Sequence, residues 1–374
     1  MENDIIELRR AIHQNPDLSG DESETAKRIV SFYKNLTPDG IIENIGGDGL
    51  AFCFKGKGEG QRVLLRCELD GLPIQEENDL PYNSVKKNVS HKCGHDGHMA
   101  ILAETAKRIA RNKPDKGEVV FLYQPSEETG EGAERVIKDD KFSSITPDYS
   151  MALHNLPGYP HGTVVLKYGT FAAASKGMEV KFMGNTSHAG EPENATSPSL
   201  ALADSIRQLN ELANKGYDEF VLITIIHALL GEIAFGTTPG YAELRATLRA
   251  FSNTVMDDLT NYAVNLIEQN AKRDGLSTEI GWREEFPATI SSDNCVNLIQ
   301  NVSKELGLNT QWVNEPFRWS EDFGHFTALN DGILFGLGSG ENQPDLHHPA
   351  YDFPEEIIST GADVFENATR RLLK

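Results

Sequence analysis

The sequence predicts an α/β fold whose mixed sheet is interrupted by an inserted ferredoxin-like α+β domain. Strand-like apolar segments alternate with amphipathic helices at both ends of the chain, as in an open α/β sheet. Residues 176–284 instead follow the order strand, helix, strand, strand, helix, strand, which closes on itself. At 374 residues the chain exceeds the size of a single hydrophobic core. We therefore expect two domains, with residues 170–286 inserted between residues 1–169 and 287–374.

The first 169 residues predict helices and strands from the spacing of their apolar positions. Glycine clusters at 46–49 and 56–60 indicate turns, because neither has the Lys-Ser/Thr ending of a phosphate loop. The predicted helices cover residues 4–15, 21–36 and 97–111, and the predicted strands cover residues 41–45, 50–54, 62–68, 118–123 and 149–154.

The remainder of the chain supplies the insertion and then returns to the first domain. After the insertion, the histidine pair His347-His348 lies in a predicted loop before a long final helix. In the insertion we expect strands at 176–183, 221–228, 241–249 and 277–284 and helices at 197–213 and 255–274; afterwards we expect helices at 294–306 and 354–373 and a strand at 332–337.

Composition narrows the class of protein. The formal net charge of −21 opposes binding to phosphate backbones and anionic lipids, so we expect no nucleic-acid or membrane partner. No apolar run approaches the ~20 residues of a membrane span. The first residues show no secretory signal, and the four cysteines lack paired spacing. We therefore expect a cytoplasmic protein with free thiols or thiolate ligands.

The segment Cys93-Gly94-His95-Asp96-Gly97-His98 is the densest cluster of ligand atoms in the sequence. It places a thiol, two imidazoles and a carboxylate within six residues, at the start of a predicted helix whose dipole favours a thiolate. A polar loop with a buried free cysteine would explain any one of these residues alone. The four together favour a metal site, to which other parts of the chain must contribute.

Three successive predicted strands end in carboxylate or imidazole side chains. The carboxyl ends of parallel strands meet at one edge of a sheet, which is where open α/β sheets build their sites. The residues delivered to this edge are Glu68 and Asp70, Glu127 and Glu128, and His154.

The candidate ligands are too numerous for one catalytic zinc ion, and they fit two metals that share a bridging thiolate or water. Two divalent ions would polarise a carbonyl and acidify a shared water. Glu127 and Glu128 are adjacent, so in an extended chain one can bind metal while Glu127 faces the water as general base. A solvated acidic turn is the alternative for this pair. The five candidate ligands are Cys93, His95, Glu128, His154 and His347.

The sequence resembles the dimetal amidohydrolase and metallopeptidase family that contains aminoacylases, hippurate hydrolases, indoleacetyl-amino-acid hydrolases and related carboxypeptidases. The resemblance runs nearly end to end and implies a mixed-sheet α/β/α catalytic domain with a lid/dimerisation domain inserted in it. The segments that carry it are Arg9-Arg10-Ala11-Ile12-His13, Pro16-Asp17-Leu18, Leu72-Pro73-Ile74, the cysteine hexapeptide, Gln124-Pro125-Ser126-Glu127-Glu128, His154-Asn155, Glu321-Asp322-Phe323 and Leu346-His347.

The resemblance also implies roles for individual residues. Cys93 would bridge the metals, and His95, Glu128, His154 and His347 would complete their coordination. His347 is preferred to His348 because the family's metal histidine directly follows the leucine. Glu127 would activate the water and then protonate the leaving nitrogen. Supporting interactions are expected from Asp70, Asp96 and His98.

The segment around His188, Gly184-Asn185-Thr186-Ser187-His188-Ala189-Gly190, resembles a lid motif. In dimeric relatives its histidine enters the partner subunit's site to stabilise the oxyanion, so the resemblance implies a homodimer. Arg249, with Arg245 as second choice, is our candidate partner for a substrate carboxylate. A lone surface histidine is the alternative for His188.

Three residues depart from the family pattern. Glu68 stands where aspartate is usual, and Lys92 stands where a small residue is common. Lys92 would steer an anionic substrate or be solvated. Gly236 replaces an asparagine that contacts substrate in many relatives, which bears on specificity and leaves the hydrolytic groups unchanged.

These residues predict hydrolysis of a small-molecule N-acyl amino acid by two divalent ions. Thiolate and imidazole ligands suit zinc, while the carboxylates also admit manganese, cobalt or nickel. A dipeptidase or carboxypeptidase on the same metals is the nearest alternative. A thiol hydrolase that uses Cys93 with a histidine, and a non-catalytic metal-binding protein, belong to other classes.

Overall fold

The computed structural model describes residues 3–214 and 216–374, which form two compact units. The larger unit contains the described residues up to Phe171 together with Thr289–Pro316 and Asp322–Lys374. The smaller unit contains Ala172–Ala288 and the short segment Phe317–Glu321. The chain thus leaves the larger unit, builds most of the smaller one, and returns. The second visit at 317–321 has no counterpart in the sequence prediction.

The larger unit begins with two helices and then alternates strands with helices. Strand β5 continues three residues beyond the predicted end at His154, and helix α3 begins at His95 rather than 97. The elements up to the boundary are α1 (Asn3–Gln14), α2 (Ser23–Lys34), β1 (Gly40–Ile45), β2 (Gly49–Lys55), β3 (Gly58–Glu68), α3 (His95–Arg111), β4 (Lys116–Gln124), α4 (Gly132–Lys138), β5 (Tyr149–Pro157), β6 (Val164–Leu166) and β7 (Gly169–Ala172).

The smaller unit and the returning segment contain the remaining elements. The final helix starts at Ile358, after a 3₁₀ turn over Glu355–Ile357, and so is shorter than predicted. These elements are β8 (Ala174–Met183), α5 (Ser199–Leu212), β9 (Val221–Leu230), β10 (Tyr241–Ala250), α6 (Asn253–Arg273), β11 (Ser277–Phe286), β12 (Thr289–Ser291), α7 (Asp293–Glu305), β13 (Thr310–Trp312), α8 (Gly324–Thr327), β14 (Asp331–Gly340) and α9 (Ile358–Leu372).

An eight-stranded mixed sheet organises the larger unit, in the order β1-β2-β4-β3-β5-β14-β6-β13. Strands β4, β3, β5 and β14 run parallel to one another, whereas β1–β2, β2–β4 and β14–β6 are antiparallel pairs. The interior residues of β3 and β4 are fully buried, as a strand covered on both faces requires. Glu68 at the end of β3 pairs with Gln124 at the end of β4. The carboxyl ends of these two neighbouring strands therefore lie side by side, as the prediction of a shared sheet edge requires.

The smaller unit pairs an antiparallel sheet, in the order β11-β8-β10-β9, with helices α5 and α6. This is the predicted ferredoxin-like succession of elements. Its core is formed by the inner faces of the strands and helices, including Val180, Leu244 and Leu259. Among the residues that the structure describes, no helix has the length and apolar character needed to cross a membrane.

Candidate metal centre

Cys93 and His95 lie at the N-terminus of α3. Gly94 caps this helix with a left-handed φ of 92°, and a Cβ there would approach Asn155 Oδ1 to 2.5 Å. Gly97 lies within the helix, where a Cβ would meet the Phe353 ring at 2.2 Å. Gly94 lets the chain turn, and Gly97 permits the close approach of Phe353. Together they let the start of α3 pack closely against Asn155 and Phe353.

Hydrogen bonds orient the imidazoles of His95 and His154. His95 Nδ1 donates to the backbone oxygen of Asp70 at 2.9 Å, and His154 Nδ1 donates to that of Asn155 at 2.9 Å. Each bond places the ring proton on Nδ1 and leaves Nε2 as the nitrogen that can bind a metal ion. His154 Nε2 lies 3.5 Å from Cys93 Sγ. Both rings thus present the nitrogen that a metal ion would use.

The five predicted ligands come together in two overlapping groups within the larger unit. Ligand atoms of Cys93, His95 and His154 lie within 4.8 Å of one another. Those of Cys93, Glu128 and His347 satisfy the same limit. Because Cys93 belongs to both groups, the arrangement can accommodate two ions that share its sulfur.

Glu127 and Glu128 lie in a turn after β4, not in an extended chain as we expected. The Gly130 N–H donates to the Glu127 carbonyl at 2.8 Å, which closes the turn. A carboxylate oxygen of each residue lies 3.8 Å from His95 Nε2. The two side chains therefore approach the same histidine, and their separation into ligand and base does not follow from strand alternation.

Asp70 holds this turn and lies against His95. Its Oδ2 accepts hydrogen bonds from the Glu128 N–H at 3.0 Å and from Ser19 Oγ at 2.7 Å. Its Oδ1 lies 3.6 Å from His95 Nδ1. The placement agrees with a supporting role beside two candidate ligands.

His347 reaches the cluster from a loop. Its N–H donates to the Lys92 carbonyl at 2.8 Å, and its φ of 66° is unusual for a residue with a side chain. Its Nε2 lies 3.9 Å from Glu128 Oε2. The Nδ1 of neighbouring His348 instead accepts the Ala350 N–H at 3.1 Å. The backbone thus brings His347 to the candidate ligands.

His98 and Asp96 form hydrogen bonds with residues outside the five predicted ligands, although His98 also forms a group of possible ligand atoms with Glu68 and His95. His98 Nδ1 donates to Glu68 at 2.6 Å, and its Nε2 accepts the Asn155 N–H at 3.2 Å. Both ring nitrogens are thus engaged, although the ring contacts His154 edge-on at a centroid distance of 4.9 Å. Asp96 accepts a hydrogen bond from His13 at 2.8 Å and pairs with Arg9 at 2.7 Å. Asp96 thus links the first turn of α3 to His13 and Arg9 of α1.

The protein around the cluster favours added positive charge. Burial, followed by the Glu128 carboxylate, raises the pKa of the Cys93 thiol well above its usual range. Burial opposes protonation of His95, yet the neighbouring Cys93 and Glu68, together with the hydrogen bond to Asp70, hold its pKa well above the ordinary value. Burial lowers the pKa of His154 to about 3, which favours the neutral ring. This donor set, with the buried His95 Nε2 free of hydrogen bonds within the described residues, fits divalent cations.

Several supporting residues were missed or misread from the sequence. Lys92 is fully buried and donates to Glu76 and to the Tyr351 carbonyl at 2.7 Å each, so it is neither solvated nor a steering charge. His13 is fully buried and bonds Glu76 as well as Asp96. Local sequence could not indicate these contacts, because most of the partners lie far apart in the chain.

Glu68, which stands where the family usually has aspartate, belongs to a buried network of charged side chains. Glu68 pairs with Arg66, which in turn contacts Asp322 at 2.6 Å, and all three side chains are inaccessible to solvent. Burial opposes ionisation, but Arg66 and His98 hold the pKa of Glu68 well below its usual range. Asp322 belongs to a segment already noted for its resemblance, although its partner Arg66 could not be predicted.

His188 and Arg249 lie in the smaller unit. His188 is exposed, and its Nδ1 accepts the Gly190 N–H at 3.0 Å. Arg249 Nη1 donates to the Arg318 carbonyl at 2.8 Å and to Ser320 Oγ at 2.9 Å. Arg245 pairs with Glu179 at 3.2 Å and Glu243 at 3.8 Å, which makes it the weaker candidate for an anionic substrate.

A family profile shows to which protein family the chain belongs. The profile described as "Peptidase family M20/M25/M40" matches residues 64–371, which is most of the sequence. The chain belongs to peptidase family M20/M25/M40. Its members include named hydrolases and amidohydrolases, and this chain is a hydrolase of that kind. The resemblance noted in the sequence is thereby confirmed.

Individual M20 relatives match along their whole length. The hippurate hydrolase of Campylobacter jejuni is 29% identical over 377 residues, covering 100% of this chain and 98% of that protein. The N-acetyl-L-cysteine deacetylase of Bacillus subtilis is 28% identical over 380 residues, covering 100% and 89%. The solved YXEP protein of Bacillus subtilis, a dinuclear metal binding M20 peptidase, aligns with a TM-score of 0.84 and 25% identity, covering 99% of this chain and 98% of that chain. The mixed α/β fold is thus that of the family.

Proposed function

We propose that this M20-family hydrolase cleaves the amide bond of N-acyl amino acids and releases a carboxylate and a free amino acid. The observation that carries the proposal is the position of Cys93 in both ligand groups, with Glu127 beside them. The names of the hippurate hydrolase and of the deacetylase support the same substrate class. Zinc or manganese is the proposed metal, with cobalt and nickel as further options.

In the proposed mechanism Cys93, His95, Glu128, His154 and His347 would hold two divalent ions, with Cys93 common to both groups of ligand atoms. Such ions polarise a carbonyl and lower the pKa of an attacking water. Glu127 takes the proton from that water as it attacks the amide carbon, and then delivers the proton to the leaving nitrogen. The Asp70 carbonyl and carboxylate keep His95 and the Glu128 backbone in place while this occurs.

The substrate carboxylate raises a question of charge, because the chain is strongly acidic. Two dications would bring four positive charges, whereas the Cys93 thiolate, the Glu128 carboxylate and a hydroxide would bring three negative charges. The metal ions and these three groups together would therefore keep a net positive charge. Arg249 is proposed as the carboxylate partner, and burial lowers the pKa of its guanidinium. An unchanged KM for N-acyl amino acids in Arg249→Ala would remove this assignment.

The smaller unit is proposed to act as a lid and to form a homodimer. Its edge strand β9 exposes Ile226, Leu229 and Leu230, and the loop that follows exposes Ile233 and Phe235. Such an apolar edge is suited to another copy of the chain. His188 would then stabilise the oxyanion in the partner subunit's site. We expect His188→Ala to keep its metals and to lose about 10²- to 10³-fold in kcat.

A substrate panel tests the proposed reaction. The metal-loaded enzyme is assayed with N-acetyl amino acids, hippurate and dipeptides, and kcat/KM is compared for matched side chains. The proposal predicts that acylated substrates are preferred, because a dipeptidase must also bind a free ammonium group. Preference for dipeptides would establish the alternative peptidase on the same metals. Failure to cleave any of these amides would overturn the proposal.

A further inference from the structure

The turn that carries Glu127 and Glu128 is fastened to the protein by a carboxylate outside the predicted site. We infer that Glu22 is a positioning residue that fixes this turn and thereby aims the Glu127 side chain. The inference rests on the proposed function for the role of Glu127. The contacts of Glu22 themselves involve no predicted metal ligand.

Glu22 lies just before α2 and is completely buried. Its Oε1 accepts the Ser126 N–H at 2.7 Å and the Ser126 hydroxyl at 3.0 Å. Ser126 directly precedes Glu127 and has a φ of 53°, in the left-handed region that costs a residue with a side chain about 1 kcal/mol or more. The two hydrogen bonds to one carboxylate oxygen hold Ser126 in that conformation.

Asp70 fixes the other side of the same turn. It accepts the Glu128 N–H, so the N–H groups immediately before and after Glu127 are each held by a buried carboxylate. The Gly132 N–H also donates to the Ser126 carbonyl at 3.1 Å. Glu127 therefore projects from a backbone that is restrained on both sides.

Burial of the Glu22 carboxylate costs free energy, and helix capping does not account for its position. Within the described residues no lysine or arginine pairs with it, and burial, with Asp70 nearby, raises the pKa of its carboxyl group. A buried carboxylate without a cationic partner lowers the stability of the fold. Its side chain makes no capping bond to α2, whereas Asp17 accepts the Thr25 N–H of that helix at 2.7 Å. The Glu22 carboxylate is thus bonded to the distant turn and not to its own helix.

The kinetic test compares Glu22→Ala, Glu22→Asp and Glu22→Gln with Asp17→Ala. Asp17 is a buried carboxylate bonded to the same helix without contact to Ser126, so its loss controls for general destabilisation. We expect kcat for an N-acyl amino acid to fall about 10- to 100-fold in the alanine and aspartate variants, with KM within about twofold. Glu22→Gln keeps an acceptor oxygen at the same reach and should retain kcat within about threefold.

Amide hydrogen exchange supplies a readout that does not depend on activity. Peptides covering residues 118–131 should exchange faster in Glu22→Ala and Glu22→Asp, and as in the wild type in Glu22→Gln and Asp17→Ala. Faster exchange with an unchanged kcat would overturn the inference, as would a glutamine variant as impaired as the alanine variant. A wild-type enzyme inactive on every amide would contradict the proposed function, whereas unchanged exchange in Glu22→Ala would contradict the positioning role alone.

Discussion

Glu127 is the side chain on which the proposed proton transfers depend. Its carboxylate is nearly buried and lies 3.8 Å from His95 Nε2. We expect Glu127→Gln to lower kcat by about 10²- to 10⁴-fold, because glutamine cannot accept the proton of the attacking water. Metal content, measured by elemental analysis, should be unchanged.

The matched control is Glu131→Gln, which changes an exposed carboxylate four residues further along the chain. It should leave kcat within about twofold. Equal turnover in Glu127→Gln and the control would show that another group acts as the base.

At the residue scale the ligand types could be predicted and their supports could not. Cys93, His95 and His154 are recognisable because their chemistry is rare and their order in the chain is informative. The hydrogen bonds that orient them come from the backbone oxygens of Asp70 and Asn155, for which the sequence carries no signal. Glu22 escaped notice because Ser126 lies more than a hundred residues away.

The buried charges behind α3 make stability depend on pH. Burial opposes ionisation of Glu76, but hydrogen bonds from His13 and Lys92 lower its pKa to about 2 from the ordinary 4.5. A depressed pKa contributes stability above the ordinary value, and this contribution is lost as pH falls toward the folded-state value. The difference in the free energy of unfolding between wild type and Glu76→Gln should therefore be largest near pH 7 and shrink between about pH 4.5 and 2.

Urea unfolding at several pH values measures this difference. Glu59→Gln, at an exposed position, serves as control and should change the free energy of unfolding by no more than about 0.5 kcal/mol. A Glu76→Gln difference that grows as pH falls would contradict the assigned network.

At the element scale the start of α3 depends on close packing at Gly97. Alanine favours a helix over glycine by about 1 kcal/mol, but its Cβ would meet the Phe353 ring at 2.2 Å. Sterics should prevail, because Phe353 is itself buried. We expect Gly97→Ala to destabilise the protein by about 1–3 kcal/mol in urea unfolding.

Gly281→Ala is the matched control, since its nearest contact would be a side-chain oxygen at 4.0 Å. In a strand this change should be neutral or slightly stabilising. A stabilised Gly97→Ala variant would mean that the helix start tolerates displacement of Phe353.

Most elements could be predicted because their apolar periodicity is strong, as in β3, β4 and α3. The predictions that fail concern segments whose conformation is set by tertiary contacts. Strand β5 continues past His154 because β14 pairs with it as far as Pro157, which local sequence cannot reveal. Glu127 and Glu128 lie in a turn instead of an extended chain because buried carboxylates hold the backbone on either side of Glu127.

At the scale of the whole molecule, an acidic chain gathers its candidate ligands at one edge of a parallel sheet region. The ligands come from α3, the turn after β4, strand β5 and a loop near residue 347, so no short segment forms the centre alone. Sequence order and ligand chemistry were sufficient to identify these contributors. The charge balance of the centre could not be read from the net charge of −21, because it depends on which groups are buried together.

Metal reconstitution tests the central claim most directly. Enzyme stripped by a chelator is titrated with zinc or manganese while bound metal and hydrolysis of an N-acetyl amino acid are measured on the same samples. The account predicts no hydrolysis without metal and recovery as two ions bind per chain. Hydrolysis that persists in metal-free enzyme and disappears on alkylation of Cys93 would contradict it in favour of a thiol hydrolase.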